Sequence, residues 1–224
     1  MLTKFQLERF TYQFITNHYR DIGHYMSTLI ALENGCRWIQ LRMKDEPTEE
    51  IIDMAQHIKQ LCYNYEAVFI IDDYVDLAKS IGADGVHLGK NDMSLAEARS
   101  ILGDKFIIGA TCNTFDDIRA VAKYTDYVGC GPFRFTETKQ NLAPILGFQG
   151  YRDIVSQCQQ NGINIPIVAI GGITLEDIFE LLNIGASGIA VSSTVLHSKY
   201  PANTAQRIYE TLIDYKSKKP KKHE

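Results

Sequence analysis

Short apolar runs alternate with longer amphipathic segments along the whole chain, and this alternation predicts its secondary structure. The run Val68–Asp72 is almost entirely apolar, which is expected of a strand buried on both faces of a parallel sheet. Eight such runs predict strands, at Phe10–Thr16, Trp38–Arg42, Val68–Asp72, Gly85–Leu88, Phe106–Ala110, Tyr127–Gly129, Pro166–Ile170 and Gly188–Val191.

The segments between these runs carry helix signals. Ser94 followed by Glu97 forms a predicted capping box at a helix start. Helices are predicted at Gly23–Asn34, Thr48–Tyr65, Tyr74–Ile81, Ser94–Leu102, Gln149–Asn161 and Ala202–Tyr215, and others begin at Thr114 and Thr174. The lysine-rich residues 216–224 are predicted to form a disordered tail.

Strict alternation of strands and helices implies a parallel sheet with right-handed crossovers. Eight repeats within residues 1–215 match the α/β class and, within it, a single-domain (β/α)8 TIM barrel. A doubly wound open sheet is the alternative, but Thr16–Arg20 lacks the glycine fingerprint that usually follows its first strand.

Composition narrows the class of protein. The formal net charge of -4 indicates no general affinity for nucleic acid. No apolar stretch approaches the length of a membrane span, and we expect no secretory signal at the N-terminus. The five cysteines form no C-x-x-C pair, which favours free thiols in a reducing cytoplasm over a disulfide framework. Whether the chain forms a homo-oligomer is left open.

Candidate chemistry lies at the strand ends, because these face one common site in such a barrel. Gln40, Arg42 and Lys44 follow one another at alternate positions of the second strand, so their side chains share a face. An amide and two cations at the mouth suggest a site for a phosphate or diphosphate. The alternative is a polar strand end with solvated charges.

Carboxylates follow the third and fourth strands. Asp72 and Asp73 end one strand, and Asn91 and Asp92 follow the next. Carboxylates from neighbouring strands could together hold Mg²⁺, which prefers oxygen ligands and shares them with phosphates. Taken singly, Asp73 could instead cap the next helix and Asp92 could serve a turn.

The later strands end in small and hydroxyl-bearing residues. Thr111 follows the fifth strand, Gly171–Thr174 follows the seventh, and Ser192 with Ser193 follows the eighth. Loops after the last two strands of a barrel commonly bind phosphate through backbone N–H groups. Gly172 would allow close approach to an anion, although the glycine pair could also serve only a tight turn.

The loop after the sixth strand, Gly129–Lys139, has no pattern of its own but presents Thr136, Glu137, Thr138 and Lys139 together. Such a cluster suits phosphate oxygens, and a solvated connector is the alternative. With a cationic, carboxylate-rich site before it and a monophosphate site after it, the chain suggests two phosphorylated substrates that are joined by displacement of diphosphate.

These residues resemble the thiamine-phosphate synthase family. The resemblance rests on Gln40–Lys44, Asp72–Asp73, Gly82–Gly89, Asp92, Thr136–Lys139, Gly171–Ile173 and Ser192–Ser193, in family order. It implies that 4-amino-5-hydroxymethyl-2-methylpyrimidine diphosphate is condensed with 4-methyl-5-(2-phosphoethyl)thiazole, giving thiamine monophosphate and diphosphate. Diphosphate would leave first, and the thiazole nitrogen would capture the resulting cation.

The resemblance also implies residue roles. Gln40, Leu41, Arg42, Met43, Lys44 and Lys139 would contact the pyrimidine diphosphate, with Thr111 giving a hydroxyl to the leaving group. Asp73 and Asp92 would bind Mg²⁺. Thr136, Glu137, Thr138, Gly172, Ser192 and Ser193 would lie at the thiazole phosphate. Arg42, Lys44, Thr111 and Lys139 would carry the catalysis.

One position departs from the family. Asp72 stands where an asparagine is usual, and an ionised carboxylate can only accept hydrogen bonds. Asp72 could join the surroundings of the metal or be held by Arg42 or Lys44. The rival functions are a thiazole tautomerase of the same superfamily, another phosphate-binding barrel such as a sugar-phosphate isomerase, and a non-catalytic binder of thiamine precursors.

Overall fold

In the computed structural model, residues 11–44, 46–136 and 144–218 are described. Eight parallel strands pair in sequence order and close into a barrel, because β1 pairs with both β2 and β8. The strands are β1 Tyr12–Ile15, β2 Trp38–Leu41, β3 Val68–Asp72, β4 Gly85–Leu88, β5 Ile107–Cys112, β6 Tyr127–Cys130, β7 Ile167–Ile170 and β8 Gly188–Val191. The prediction of a (β/α)8 barrel is therefore confirmed.

Each strand is followed by a helix that packs on the outside of the barrel. The helices are α1 His24–Glu33, α2 Thr48–Asn64, α3 Val75–Ile81, α4 Leu95–Leu102, α5 Phe115–Val121, α6 Gly147–Gln160, α7 Ile178–Ile184, α8 Ser193–Leu196 and α9 Pro201–Lys218. A 3₁₀ turn, Leu175–Asp177, precedes α7. Every predicted helix is present.

Capping explains where several helices begin. Ser94 Oγ accepts the N–H of Glu97, as predicted, and Thr114 forms a full capping box with Asp117. Thr48 is the first residue of α2, preceded by Pro47, and its hydroxyl makes no capping hydrogen bond. At the other end of the chain, α9 continues to Lys218, so the prediction of disorder is wrong for residues 216–218. Residues 219–224 lie outside the described residues.

The strands separate two apolar layers. Alternate strand residues point outward and pack with the helices, as Phe14, Ile39 and Phe69 do. Inward-facing residues fill the barrel around Trp38 and Tyr127, the first residues of β2 and β6. The rings of these two residues meet edge to face with centroids 4.8 Å apart. This packed floor leaves the open volume at the carboxyl ends of the strands.

Gly109 makes room for the tyrosine of that floor. Gly109 and Tyr127 are register partners on β5 and β6, and a Cβ at Gly109 would lie 2.2 Å from Tyr127 Cζ. The phenol therefore lies across a position that must lack a side chain.

All five cysteines are buried, and none is in a disulfide within the described structure. Burial raises the pKa of Cys112 far above its usual value and that of Cys130 to about 12, so neither thiol is a ready nucleophile. No helix among the described residues is long and apolar enough to cross a membrane.

Candidate active site

A cavity of about 380 Å³ opens at the carboxyl ends of the strands. Its volume is in the range of small-molecule sites. Most of the residues that the sequence predicts to form a site line this cavity together: Gln40, Arg42, Lys44, Asp72, Asp73, Asp92, Thr111, Thr136, Gly172, Ser192 and Ser193.

One wall is cationic. Asp72 Oδ2 lies 3.7 Å from Arg42 Nε and 3.9 Å from Lys44 Nζ, while its Oδ1 accepts a hydrogen bond of 2.7 Å from Gln40 Nε2. Burial, together with the neighbouring Asp73, raises the pKa of Asp72 to about 7, and Lys44 and Arg42 oppose this rise. The carboxylate that departs from the family pattern thus holds both cations beside the cavity.

Lys44 also pairs with the next carboxylate, with 2.6 Å between Lys44 Nζ and Asp73 Oδ2. Partial burial lowers the pKa of Lys44, but the hydrogen bond to Asp73 and the charge of Asp72 outweigh it, so the net pKa lies above the usual value. Lys44 is therefore an ammonium at neutral pH.

Asp73 and Asp92 form a pair of carboxylates at the same wall. Burial and a side-chain hydrogen bond with Asp92 raise the pKa of Asp73, and Asp92 Oδ2 accepts the backbone N–H of Gly89 at 2.6 Å. Asp73 adopts a left-handed backbone conformation with φ of 67°, and Tyr74, not Asp73, occupies the N-cap of α3. Asp73 is therefore not a helix cap, whereas Asp92 does stabilise a turn.

The donor set of this pair fits Mg²⁺. Two close carboxylates with a raised pKa at one of them repel each other, and a divalent cation relieves that repulsion. Among residues 11–44, 46–136 and 144–218, no group of three or more His, Cys, Asp or Glu is placed to hold a metal. Two carboxylates suffice for Mg²⁺, since it keeps several waters and takes further oxygens from phosphates.

The opposite wall comes from the loops after β7 and β8. Gly171 and Gly172 have φ of 96° and 67°, and a Cβ at Gly172 would lie 2.9 Å from the carbonyl oxygen of Phe135. Thr194 Oγ1 donates to the carbonyl of Ile173 at 2.6 Å and so ties the two loops together. Ser192 Oγ is buried and has no hydrogen-bond partner among the described residues, so it retains a donor for a ligand.

The loop after β6 is fixed to this wall by Arg134. Its guanidinium donates to both carboxylate oxygens of Asp177, at 2.8 and 2.9 Å, and to the carbonyl of Gly172 at 2.6 Å. Thr136 lines the cavity beyond this clamp. Glu137, Thr138 and Lys139 lie outside the described residues.

Thr111 lies on the floor side of the cavity. Its Oγ1 is 3.1 Å from His87 Nε2, and His87 Nδ1 is 3.0 Å from the hydroxyl of Tyr127. His87 is thus a histidine with both ring nitrogens hydrogen-bonded at the mouth of the barrel.

Comparison with known proteins decides the family. The sequence profile described as thiamine monophosphate synthase matches residues 12–195. The chain belongs to this family. A thiamine-phosphate synthase of Phocaeicola vulgatus is 55% identical over 197 residues, covering 88% of this chain and 95% of the relative. One from Bacteroides thetaiotaomicron is 51% identical, covering 88% and 94%.

Solved structures agree with this family assignment. A thiamine phosphate pyrophosphorylase from Pyrococcus furiosus superposes with a TM-score of 0.82 at 32% identity, covering 93% of this chain and 98% of that one. The resemblance that the strand-end motifs indicated is therefore confirmed at the level of the family.

Two residues that the family resemblance implicated do not bring their side chains to the cavity. Leu41 and Met43 are buried and pack in the outer apolar layer against the helices. They alternate with Gln40, Arg42 and Lys44 along one extended segment, so they point the other way. Neither residue therefore lines the cavity.

The structure adds cavity residues that the sequence did not single out. Gln13 on β1 and Lys90 and Asn113 in the loops line the cavity, and Arg134 and Thr194 hold its loops. Gln13 is a lone polar residue in an apolar run. The partners of Arg134 lie some forty residues away along the chain, 38 for Gly172 and 43 for Asp177. No local pattern marks either contact.

Proposed function

We propose that this protein is a thiamine-phosphate synthase, which condenses the pyrimidine diphosphate and the thiazole phosphate named above. The observation that carries the proposal is the pairing of two unlike anion sites in one cavity. Arg42 and Lys44 stand with two metal-type carboxylates on one wall, and the glycine and serine loops form the other. Family membership and relatives of that name support the same reaction.

The first step would break the bond between the pyrimidine methylene carbon and the diphosphate oxygen. The electron pair leaves with the diphosphate, and the methylene carbon becomes a cation stabilised by the aminopyrimidine ring. Arg42, Lys44 and Lys139 would bind the leaving oxygens, and the Thr111 hydroxyl would donate to them. Such preorganised donors act where charge develops in the transition state.

The second step would form the new carbon–nitrogen bond. The thiazole nitrogen gives its lone pair to the methylene carbon, so the product is a thiazolium and no proton needs to be removed. Gly172, Ser192 and Ser193, with Thr136, Glu137 and Thr138 of the loop after β6, would hold the thiazole phosphate. Holding the two rings in line is the main demand on the protein.

Asp73 and Asp92 would hold Mg²⁺ at the diphosphate wall. When bound there, the ion would supply positive charge that neutralises the diphosphate and makes it a better leaving group. Gln40 would present its amide beside the same substrate, together with the backbone of Leu41 and Met43. The free, buried thiols suit a reducing cytoplasm, where we place this enzyme.

The decisive experiment is incubation of the purified protein with both substrates and Mg²⁺. Product is detected by oxidation to fluorescent thiochrome. We expect thiamine monophosphate and diphosphate in equal amounts, with none when either substrate or Mg²⁺ is omitted. If folded, Mg²⁺-supplied protein forms no thiamine phosphate, the proposed function is wrong.

A further inference from the structure

A continuous chain of polar side chains crosses the interior of the barrel at the base of the cavity. It takes one residue from each of the first six strands, in the hydrogen-bonded order Asp72, Gln40, Gln13, Tyr127, His87 and Thr111. We call these six residues the polar belt. The link between Gln13 and Tyr127 spans the lumen, because β1 and β6 are not neighbours in the sheet.

The belt is buried. Gln13 is 1% exposed, Gln40 is 3% exposed and Tyr127 is fully buried. Polar groups in such a position are costly unless each finds a hydrogen-bond partner, so the direction of every hydrogen bond matters.

The direction is fixed at Asp72. In the ionised form of Asp72, which Arg42 and Lys44 favour, Oδ1 can only accept, so the group of Gln40 that faces it at 2.7 Å is the NH₂ end. Gln40 therefore turns its Oε1 toward Gln13, and this oxygen accepts from Gln13 Nε2 at 2.9 Å. The amide orientation of Gln13 is thereby set as well.

From Gln13 the direction continues along the other arm. The same Nε2 lies 3.3 Å from the hydroxyl of Tyr127 and can only donate to it. A phenol proton that points to His87 Nδ1, 3.0 Å away, makes Nδ1 an acceptor and places the ring proton on Nε2. This Nε2–H donates to Thr111 Oγ1 at 3.1 Å.

The chain of donors ends at the cavity. Thr111 already accepts from His87, so its own hydroxyl proton is available to a ligand, and Thr111 lines the cavity. Gln13 donates in both directions and is the point from which the two arms diverge. Replacing its amide by an apolar group removes the hydrogen bond from Gln13 Nε2 to the Tyr127 hydroxyl.

We infer that Gln13 is a positioning residue, which sets the direction of the polar belt so that the Thr111 hydroxyl donates into the cavity. The contacts allow this direction, and the His87 tautomer decides it. The further consequence, that the Thr111 hydroxyl serves the departing diphosphate, rests on the proposed function.

The first test needs no substrate. The His87 tautomer is read from long-range ¹H–¹⁵N correlation spectra of protein labelled at histidine, with the His87 signals assigned by their loss in His87→Gln. We expect the Nε2–H tautomer in the unmodified protein and a mixture of tautomers in Gln13→Met. A wild-type His87 with its proton on Nδ1 overturns the inference, whether or not the protein makes thiamine phosphate.

The second test is a double-mutant cycle on turnover. Loss of a donor to a developing anion costs on the order of a hundredfold in kcat, which we expect for Thr111→Val. Gln13→Met should lower kcat by about tenfold in the wild-type background and by less than twofold in Thr111→Val, since it acts through that hydroxyl. Independent, multiplicative losses would show that Gln13 does not act through Thr111.

Two further variants serve as a control and as a replacement for Gln13→Met. Ile208→Val changes the outer apolar layer, which contains none of the belt residues, and it should keep both the tautomer and kcat. If Gln13→Met does not fold, Tyr127→Phe breaks the same arm one residue further along and should cause the same tautomer change. A retained pure Nε2–H signal in Tyr127→Phe contradicts the inference.

Discussion

Lys44 Nζ lies 2.6 Å from Asp73 Oδ2, so one ammonium binds a carboxylate that also suits Mg²⁺. In the proposed reaction, the lysine and the metal ion would therefore compete for the charge of Asp73 while both serve the diphosphate. Loss of Lys44 should therefore have one effect on turnover and a separate effect on the Mg²⁺ dependence of the reaction.

Lys44→Ala should lower kcat by about a hundredfold, because a cation at the leaving group is lost. The same variant should reach half of its activity at a lower Mg²⁺ concentration than the wild type, since Asp73 loses its competing partner. A Mg²⁺ titration of the thiochrome assay measures both effects. Lys105→Ala is the matched control, because Lys105 is exposed before β5, at the opposite end of the barrel. A raised Mg²⁺ requirement in Lys44→Ala would contradict the competition.

Asp72→Asn should lower the KM for the pyrimidine diphosphate by about threefold to tenfold. The carboxylate of Asp72 now offsets the charges of Arg42 and Lys44, and its loss leaves them with more positive potential toward the substrate. An asparagine carbonyl can still accept from Gln40. Steady-state kinetics at low and high salt measure the change, and a KM that rises or is unaffected by salt would count against it.

Lys139→Ala should lower turnover strongly while leaving the fold intact, if Lys139 contacts the departing diphosphate. The residue lies outside the described part of the chain, so the prediction rests on the family motif. Circular dichroism and thermal unfolding check the fold, and single-turnover kinetics isolate the chemical step. Wild-type activity in this variant would remove Lys139 from the site.

Arg134→Ala should raise the KM for the thiazole phosphate by roughly tenfold, because the Gly172 loop loses the guanidinium that holds its carbonyl. The KM for the pyrimidine diphosphate should change little. Arg119→Ala is the control, since Arg119 forms an exposed ion pair with Asp116 on α5. Equal increases in both KM values would indicate a general loss of structure instead.

His24 should make the protein less stable in mild acid. Burial, with smaller effects of His18 and Arg42, lowers the pKa of His24 from 6.5 to about 4. The folded state therefore prefers the neutral ring, and its contribution to stability is full above pH 6.5 and falls progressively as the pH drops toward 4. Urea unfolding across this range measures the effect.

His24→Asn provides the comparison for this pH dependence. The ring contacts Thr16 Oγ1 through Nδ1 at 2.8 Å, and an asparagine oxygen can accept from the same hydroxyl without titrating. Its free energy of unfolding should depend less on pH between 6.5 and 4. An identical pH dependence in both proteins would show that other groups govern acid stability.

The order of the strands was predictable from sequence because each strand is a contiguous apolar run with its own boundaries. The shared face of Gln40, Arg42 and Lys44 followed from the period of an extended chain. The helix α8 was not predicted, since four residues directly after a strand carry no helical periodicity.

Contacts that depend on closure of the barrel could not be predicted. Gln13 meets Tyr127 across the lumen, 114 residues later in the chain, and no local pattern relates them. Asp177 has the sequence pattern of a capping residue, and its carboxylate does accept the backbone N–H of Thr174. The same carboxylate also binds Arg134 of the loop after β6, which the pattern does not indicate. Such partners become visible only in three dimensions.

The hollow at Gly109 restricts how this barrel can change over generations. Even an alanine there would displace the phenol of Tyr127, while a smaller residue at 127 would leave an empty space over the glycine. A substitution at either position alone would therefore disturb the packing of the floor until the other position changed as well. We expect the two to be inherited as a pair, and a designer who transplants this floor into another barrel must carry both.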